Sequence, residues 1–146
     1  QRQMCIRDRL MAGHALAIAD AFPRAEVVGI EPAGADDFCQ SLDAQQRVRT
    51  ERPQSICDGL CSYDVGEHNW PILQRYVPQA VAVPDADTQA AMRWLYQQHG
   101  LRCEPSGAIA VAAVLTGRVR IEGEGDIALV VSGRNVDDEQ FRAWIE

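Results

Sequence analysis

No lysine occurs among the 146 residues; all 14 basic side chains are arginine. Chemistry that runs through a lysine amine, a Schiff base above all, therefore has no residue to run through within this chain. Positive charge is scarce altogether: 14 basic against 21 acidic residues leave a formal charge of -7, with no basic stripe of the kind nucleic acid selects. A nucleic-acid partner is not expected. Long apolar runs are missing too, since none approaches the roughly 20 residues of a membrane span, and no charged, apolar and small-residue order marks a secretory signal. The expectation is a cytoplasmic chain with no membrane partner. Histidine is limited to three residues, and none pairs with the five cysteines at zinc-ligand spacing. An odd cysteine count also argues against a disulfide framework, so reduced thiols are expected.

What is present is a core. At 146 residues and 47% hydrophobic composition the chain is long enough for one domain and too short for two. Residues 1–9 show no periodicity, and Met4 to Arg9 resembles a translated transposon-end adapter. They are set aside as a non-native scar, which leaves 10–146 as the domain.

Within that domain strands and helices alternate. Short apolar runs at 26–30, 80–83, 101–103 and 127–131 read as strands, the last, Ile-Ala-Leu-Val-Val, as one buried on both faces. Helices are expected at 10–22, 35–42, from near Trp70 to 77, 85–99 with Gly100 as its stop, 108–115 and 138–145. In the 85–99 helix Ala90, Ala91, Trp94 and Leu95 share one face, and Met92 and Trp94 are assigned to the core. The stretch 117–125 is a turn-rich connection. This order implies an α/β layered domain with a mostly parallel sheet.

Three strand ends carry polar residues, and ligands of open α/β sheets sit beyond such ends. At the first, Glu31 and Asp37 either complement the dipole of the following helix at the surface or, with a loop carbonyl, surround a hard cation such as magnesium or calcium. At the second, Glu104 directly precedes a helix. At the third, Ser132-Gly-Arg-Asn135 is either a ligand-contacting turn or only a strand-to-helix connection in which Asn135 or Asp137 caps the helix 138–145.

Taken in order, Glu31-Pro-Ala-Gly-Ala-Asp-Asp37, Cys57-Asp-Gly59, Glu104-Pro-Ser-Gly107 and Ser132-Gly-Arg-Asn135 resemble the carboxyl-terminal part of the threonine/serine dehydratase family. These are pyridoxal-phosphate enzymes of tryptophan-synthase-β-like fold (fold type II), with serine racemase as a close relative. The resemblance runs from Leu10 to Glu146. It implies that the Ser132 hydroxyl bonds the pyridine nitrogen of pyridoxal 5'-phosphate, that Glu104 lies beside the ring, and that Gly59 lines it. It further implies that Glu31, Asp37 and the carbonyl of Ala35 hold magnesium or manganese. The activity implied is conversion of L-threonine or L-serine, the small-molecule partner, to a 2-oxoacid and ammonia, in a protein that is a homo-oligomer when intact. The Schiff-base lysine and the substrate-carboxylate loop would lie in an amino-terminal half, and the Gly-rich phosphate cradle just before Leu10, where residues 1–9 stand instead. The chain thus reads as truncated and inactive alone. An amino-acid racemase fits the same residues, and a non-catalytic α/β binding module remains the reading from another class.

Overall fold

Two β-branched-rich runs form the centre of the structure, a computed structural model that describes residues 6–120 and 125–146. Val28–Pro32 (β1) and Gln79–Val83 (β2) lie parallel, with Val28 opposite Gln79 and Pro32 opposite Val83. Pro32 ends the ladder because it has no amide to give, and Ala33 donates to the Val83 carbonyl at 2.9 Å as the chain leaves the sheet. Successive strand residues face opposite sides. Ile30, Val81 and Val83 therefore pack with one apolar cluster, whereas Val27 and Ala80 pack with the other.

The first cluster is supplied by Asp85–His99 (α4), Pro105–Leu115 (α5) and Asp138–Ile145 (α6) through Met92, Leu95, Ile109, Val111 and Phe141. The second comes from Ile6–Ala21 (α1), Asp37–Ala44 (α2) and Trp70–Tyr76 (α3), with Ala15, Phe38 and Leu73 at its centre. Helices thus cover both faces of a parallel strand pair, the α/β layering expected. Among the described residues no helix is long and apolar enough to cross a membrane.

Local signals act as expected at several ends. Gly100 takes a left-handed φ of 63° and closes α4, and the Asp137 carboxylate accepts the amides of Glu139 and Gln140 to cap α6, whereas α5 begins at Pro105, earlier than the expected start at 108. Residues 1–5 and 121–124 lie outside the described residues, and with them parts of the stretch set aside as a scar and of the 117–125 connection. Ile6 to Arg9 form the first turn of α1, and the buried Asp8 carboxylate accepts the Gly66 amide at 2.7 Å.

Three expectations are corrected. The run 127–131 is not a buried strand: it has no ladder partner among the described residues, and Ile127 and Val130 are 50% and 51% exposed. A parallel strand exists only beside another strand, and β1 and β2 are the one pair described here. Residues 101–103 are likewise extended without pairing, with Leu101 exposed and Cys103 buried. Trp94 is 38% exposed and meets His99 edge-on at 4.7 Å, because its helix face rolls away from the cluster that Ala91 and Leu95 enter.

Candidate functional site

The end of β1 delivers Glu31 beneath the start of α2. Its side chain is 2% exposed; Oε1 accepts the Phe38 amide at 3.2 Å and Oε2 the Cys39 amide at 2.8 Å. These are first-turn donors that a helix leaves unsatisfied, and Asp36 at the N-cap position makes no side-chain cap bond to them. A strand carboxylate therefore caps the helix from outside and meets the positive end of its dipole. Asp37 is fully buried, its Oδ1 accepting the Ser62 hydroxyl at 3.1 Å. Ala35 is buried as well, its amide bonded to the Pro32 carbonyl at 2.9 Å. Glu31, Ala35 and Asp37 thus come together in one knot at the strand end. The dipole-complementing role is real for Glu31, but the surface placement is not. Among the described residues no group of three or more His, Cys, Asp or Glu side chains is placed to hold a metal.

The second locus is the amino terminus of α5. Glu104 occupies its N-cap position with extended backbone, yet the carboxylate makes no cap bond to its own helix. It reaches across instead, and Oε2 accepts the Asn135 amide at 2.9 Å. The Glu104 amide in turn donates to the Gly133 carbonyl at 3.1 Å, so two bonds fasten the 133–135 turn to the helix start. Two glycines allow this approach: a Cβ on Gly107 would stand 2.9 Å from the Gly133 carbonyl oxygen, and a Cβ on Gly133 would fall onto the Glu104 carboxylate. Ser132, one residue before this junction, is exposed.

Gly59 comes to the same helix end by a third route. The 3-10 turn Asp58–Leu60 sets it against Ser106, where an added Cβ would meet the serine Oγ at 3.1 Å. The turn is held by Asp85 at the start of α4, whose carboxylate accepts the Ser55 hydroxyl at 2.5 Å and the Ile56 amide at 3.1 Å. The three residues expected around a cofactor ring, Ser132, Glu104 and Gly59, are therefore gathered at one helix terminus. The segment 54–62 joins this locus to the first, since Gln54 donates to the Gly34 carbonyl at 2.8 Å and Ser62 to Asp37. A cleft of about 390 Å³ opens alongside, lined by Gln54, Asp58, Asp85, Glu104, Asn135 and Trp144 among others.

Three of these residues escape the sequence reading. Ser62 and Asp85 act through contacts across the fold that spacing along the chain does not signal. Ser106 stands inside the Glu104-Pro-Ser-Gly107 motif, and among the described residues its Oγ is the one buried side-chain oxygen or nitrogen without a hydrogen-bond partner.

No buried thiol here is a nucleophile. Burial, reinforced by the Glu31 charge, pushes Cys39 far above the ordinary thiol range. Burial also raises Cys57 to about 12, and burial with the Glu104 charge raises Cys103 to about 11. Both stay protonated in the folded chain, whereas in the unfolded chain they ionise near about 8.5. A raised folded value means stability that is complete below the unfolded value and is lost as pH rises towards the folded one. Each thiol then costs up to about 1.4 kcal/mol per pH unit in that window. The urea midpoint is expected to fall between pH of about 9 and about 11, and a Cys57→Ala, Cys103→Ala chain to show a flatter slope. An unchanged slope in the double variant would assign the alkaline loss to other groups.

Comparison with known proteins decides the family. Residues 9–133 match the model for pyridoxal-phosphate dependent enzymes. The chain belongs to that family. It is 35% identical over 133 residues to phenylserine dehydratase of Ralstonia pickettii, covering 90% of this chain and 40% of that protein. It is 33% identical over 132 residues to serine racemase of Oryza sativa subsp. indica, covering 88% and 39%. Among solved structures it superposes on T.th. threonine deaminase with a TM-score of 0.82 at 36% identity, covering 88% of this chain and 45% of that one. Maize serine racemase gives a TM-score of 0.85 at 32% identity, with 92% and 42% covered. The fold is accordingly the tryptophan-synthase-β-like fold type II of these enzymes, and the chain spans less than half the length of each relative named here.

Proposed function

We propose that this chain is the carboxyl-terminal part of a pyridoxal-phosphate-dependent ammonia-lyase that converts a β-hydroxy amino acid, L-threonine or L-serine, to a 2-oxoacid and ammonia. The observation that carries this reading is the gathering of the Ser132-Gly133 turn, Glu104 and Gly59 at the start of α5. Three relatives support the substrate class by their names, threonine deaminase, phenylserine dehydratase and the L-threo-3-hydroxyaspartate ammonia-lyase of Pseudomonas sp, all of which point to an amino acid with a β-hydroxyl.

When bound, pyridoxal phosphate supplies an electron sink that makes the substrate α-proton removable. The chain's own residues set how that sink behaves. A neutral hydroxyl at Ser132 does not hold a proton on a ring nitrogen as a carboxylate would, which favours prompt loss of the β-hydroxyl over prolonged storage of charge. Glu104, locked to Asn135, gives one edge of the site a fixed carboxylate, and Gly59 leaves a flat wall without a side chain. The amine that would join the cofactor is not among these residues, because the chain has no lysine.

The test is a chimaera in which the lysine-bearing amino-terminal part of Ralstonia pickettii phenylserine dehydratase precedes Leu10. Release of 2-oxoacid and ammonia from L-threonine or L-serine is expected, with none from the 146-residue chain alone. A chimaera that binds cofactor and interconverts L- and D-serine without net 2-oxoacid release would favour the second reading, a racemase, for which the serine racemase matches speak. The same proposal includes a cytoplasmic homo-oligomer as the intact form.

It also includes magnesium or manganese at Glu31, Asp37 and the Ala35 carbonyl. These are hard oxygen donors gathered in a buried knot, the donor type that such cations take. Magnesium chloride is expected to raise the melting temperature of the chain, by mass action on the folded state, and the rise should vanish in Asp37→Ala. An equal rise in the variant would place the ion elsewhere.

A further inference from the structure

Ser106 Oγ stands out once every other polar group at the site has been accounted for. This oxygen is sealed from solvent and unpartnered, whereas Glu104, Asp85 and Ser55 at the same site all sit in hydrogen bonds. A hydroxyl taken out of water without a partner costs about 1–3 kcal/mol, so a fold that keeps one carries a burden an alanine would not. Its surroundings show where a partner would come from. Ser106 lies in the first turn of the 11-residue α5; across from it is Gly59, with no side chain, and on its other side Gly107 admits the Gly133 backbone that follows Ser132. The hydroxyl therefore stands between the flat wall and the turn that bears the ring-nitrogen serine.

Resting on the cofactor reading above, we propose that Ser106 is a further cofactor-binding residue, whose hydroxyl donates to an acceptor atom on the edge of the planar pyridine ring seated against Gly59. Ser106 is then a second hydroxyl on the ring beside Ser132. Its missing partner in the chain alone is the ligand's own acceptor. Other buried groups do not offer this: Asp85 is satisfied by Ser55 and Ile56, and the thiols of Cys57 and Cys103 are held neutral by burial.

The consequence is a pair of effects with opposite sign. In the ligand-free 146-residue chain Ser106→Ala removes an unsatisfied oxygen and should raise the melting temperature by a few degrees. In the chimaera described above the same substitution should weaken binding of pyridoxal 5'-phosphate, followed by quenching of tryptophan fluorescence, about fivefold to fiftyfold, since a hydrogen bond to the ligand is lost. Ser106→Thr keeps the hydroxyl and should bind within about threefold of the unsubstituted chimaera. A lower melting temperature in Ser106→Ala would show that the hydroxyl is already satisfied within the fold and would overturn the proposal. Equal affinity of the chimaera with and without Ser106→Ala would overturn it too while leaving the cofactor site in place. No binding by the chimaera described above, with Ser132→Ala in it indistinguishable, would remove the cofactor reading of this site and the role of Ser106 together.

Discussion

Glu31→Ala is expected to lose about 3–5 kcal/mol of unfolding free energy, enough to leave the chain largely unfolded at room temperature. The side chain is 2% exposed and its two oxygens each accept a first-turn amide of α2, from Phe38 and Cys39. Truncation leaves two buried donors unsatisfied at about 1–3 kcal/mol each and takes a carboxylate from the positive end of the helix. Nothing nearby replaces it, because Asp36 at the N-cap spends its Oδ1 on the exposed Gln40 amide at 2.7 Å. Two comparisons isolate the cause. Glu31→Gln keeps one good acceptor and should cost roughly half as much, and Asp36→Ala, which removes only a surface contact, should stay within about 0.5 kcal/mol. Urea unfolding of the three variants separates these cases. If Glu31→Ala proved as mild as Asp36→Ala, the capping role would be wrong, and the burial of Glu31 would need another cause.

How much of this was legible in the sequence follows from the range of the forces involved. Helix ends were readable where the signal lies within the helix: Gly100 closing α4 and Asp137 capping α6 both act over two to four residues. β1 and β2 were readable because short apolar runs bounded by proline leave few alternatives. The run 127–131 has the same composition, yet its strand character is a property of a ladder, and no neighbour among the described residues offers one. Composition reports what a segment prefers to bury; pairing reports whether anything is there to bury it. The site shows the same division. Glu31, Asp37, Glu104, Gly59 and Ser132 were singled out through an ordered set of motifs, whereas Ser62 and Asn135 reach Asp37 and Glu104, and Asp85 reaches Ser55 and Ile56, by bonds spanning 25 to 31 residues. Such bonds leave no periodic trace. Ser106 lay within a quoted motif but became distinctive only when every other buried polar group had been given its partner.

Gly133→Ala should abolish cofactor binding while leaving most of the fold standing, and the reason lies in a single junction. Gly133 has no left-handed backbone to preserve, so space rather than conformation is the constraint. Its Cβ would fall on the Glu104 carboxylate, which must then swing away and release the Asn135 amide it accepts at 2.9 Å. The neighbouring bond from the Glu104 amide to the Gly133 carbonyl, 3.1 Å long, also stretches. Overpacking of this kind costs about 1–3 kcal/mol of stability. Its effect on ligand geometry is larger, because Ser132 is the next residue back, and a displacement of about 1 Å at a positioning group can cost about 100-fold. Binding of pyridoxal 5'-phosphate should therefore fall by about 100-fold or below detection. Adding Glu104→Ala removes the group with which the new methyl collides, so the double variant should recover melting temperature. It should not recover binding, since on the proposed reading the carboxylate beside the ring is then gone as well. A double variant that regained both would mean that Glu104 serves only to brace the turn, and that the ring is held by the hydroxyl of Ser132 and the bare face of Gly59 without it.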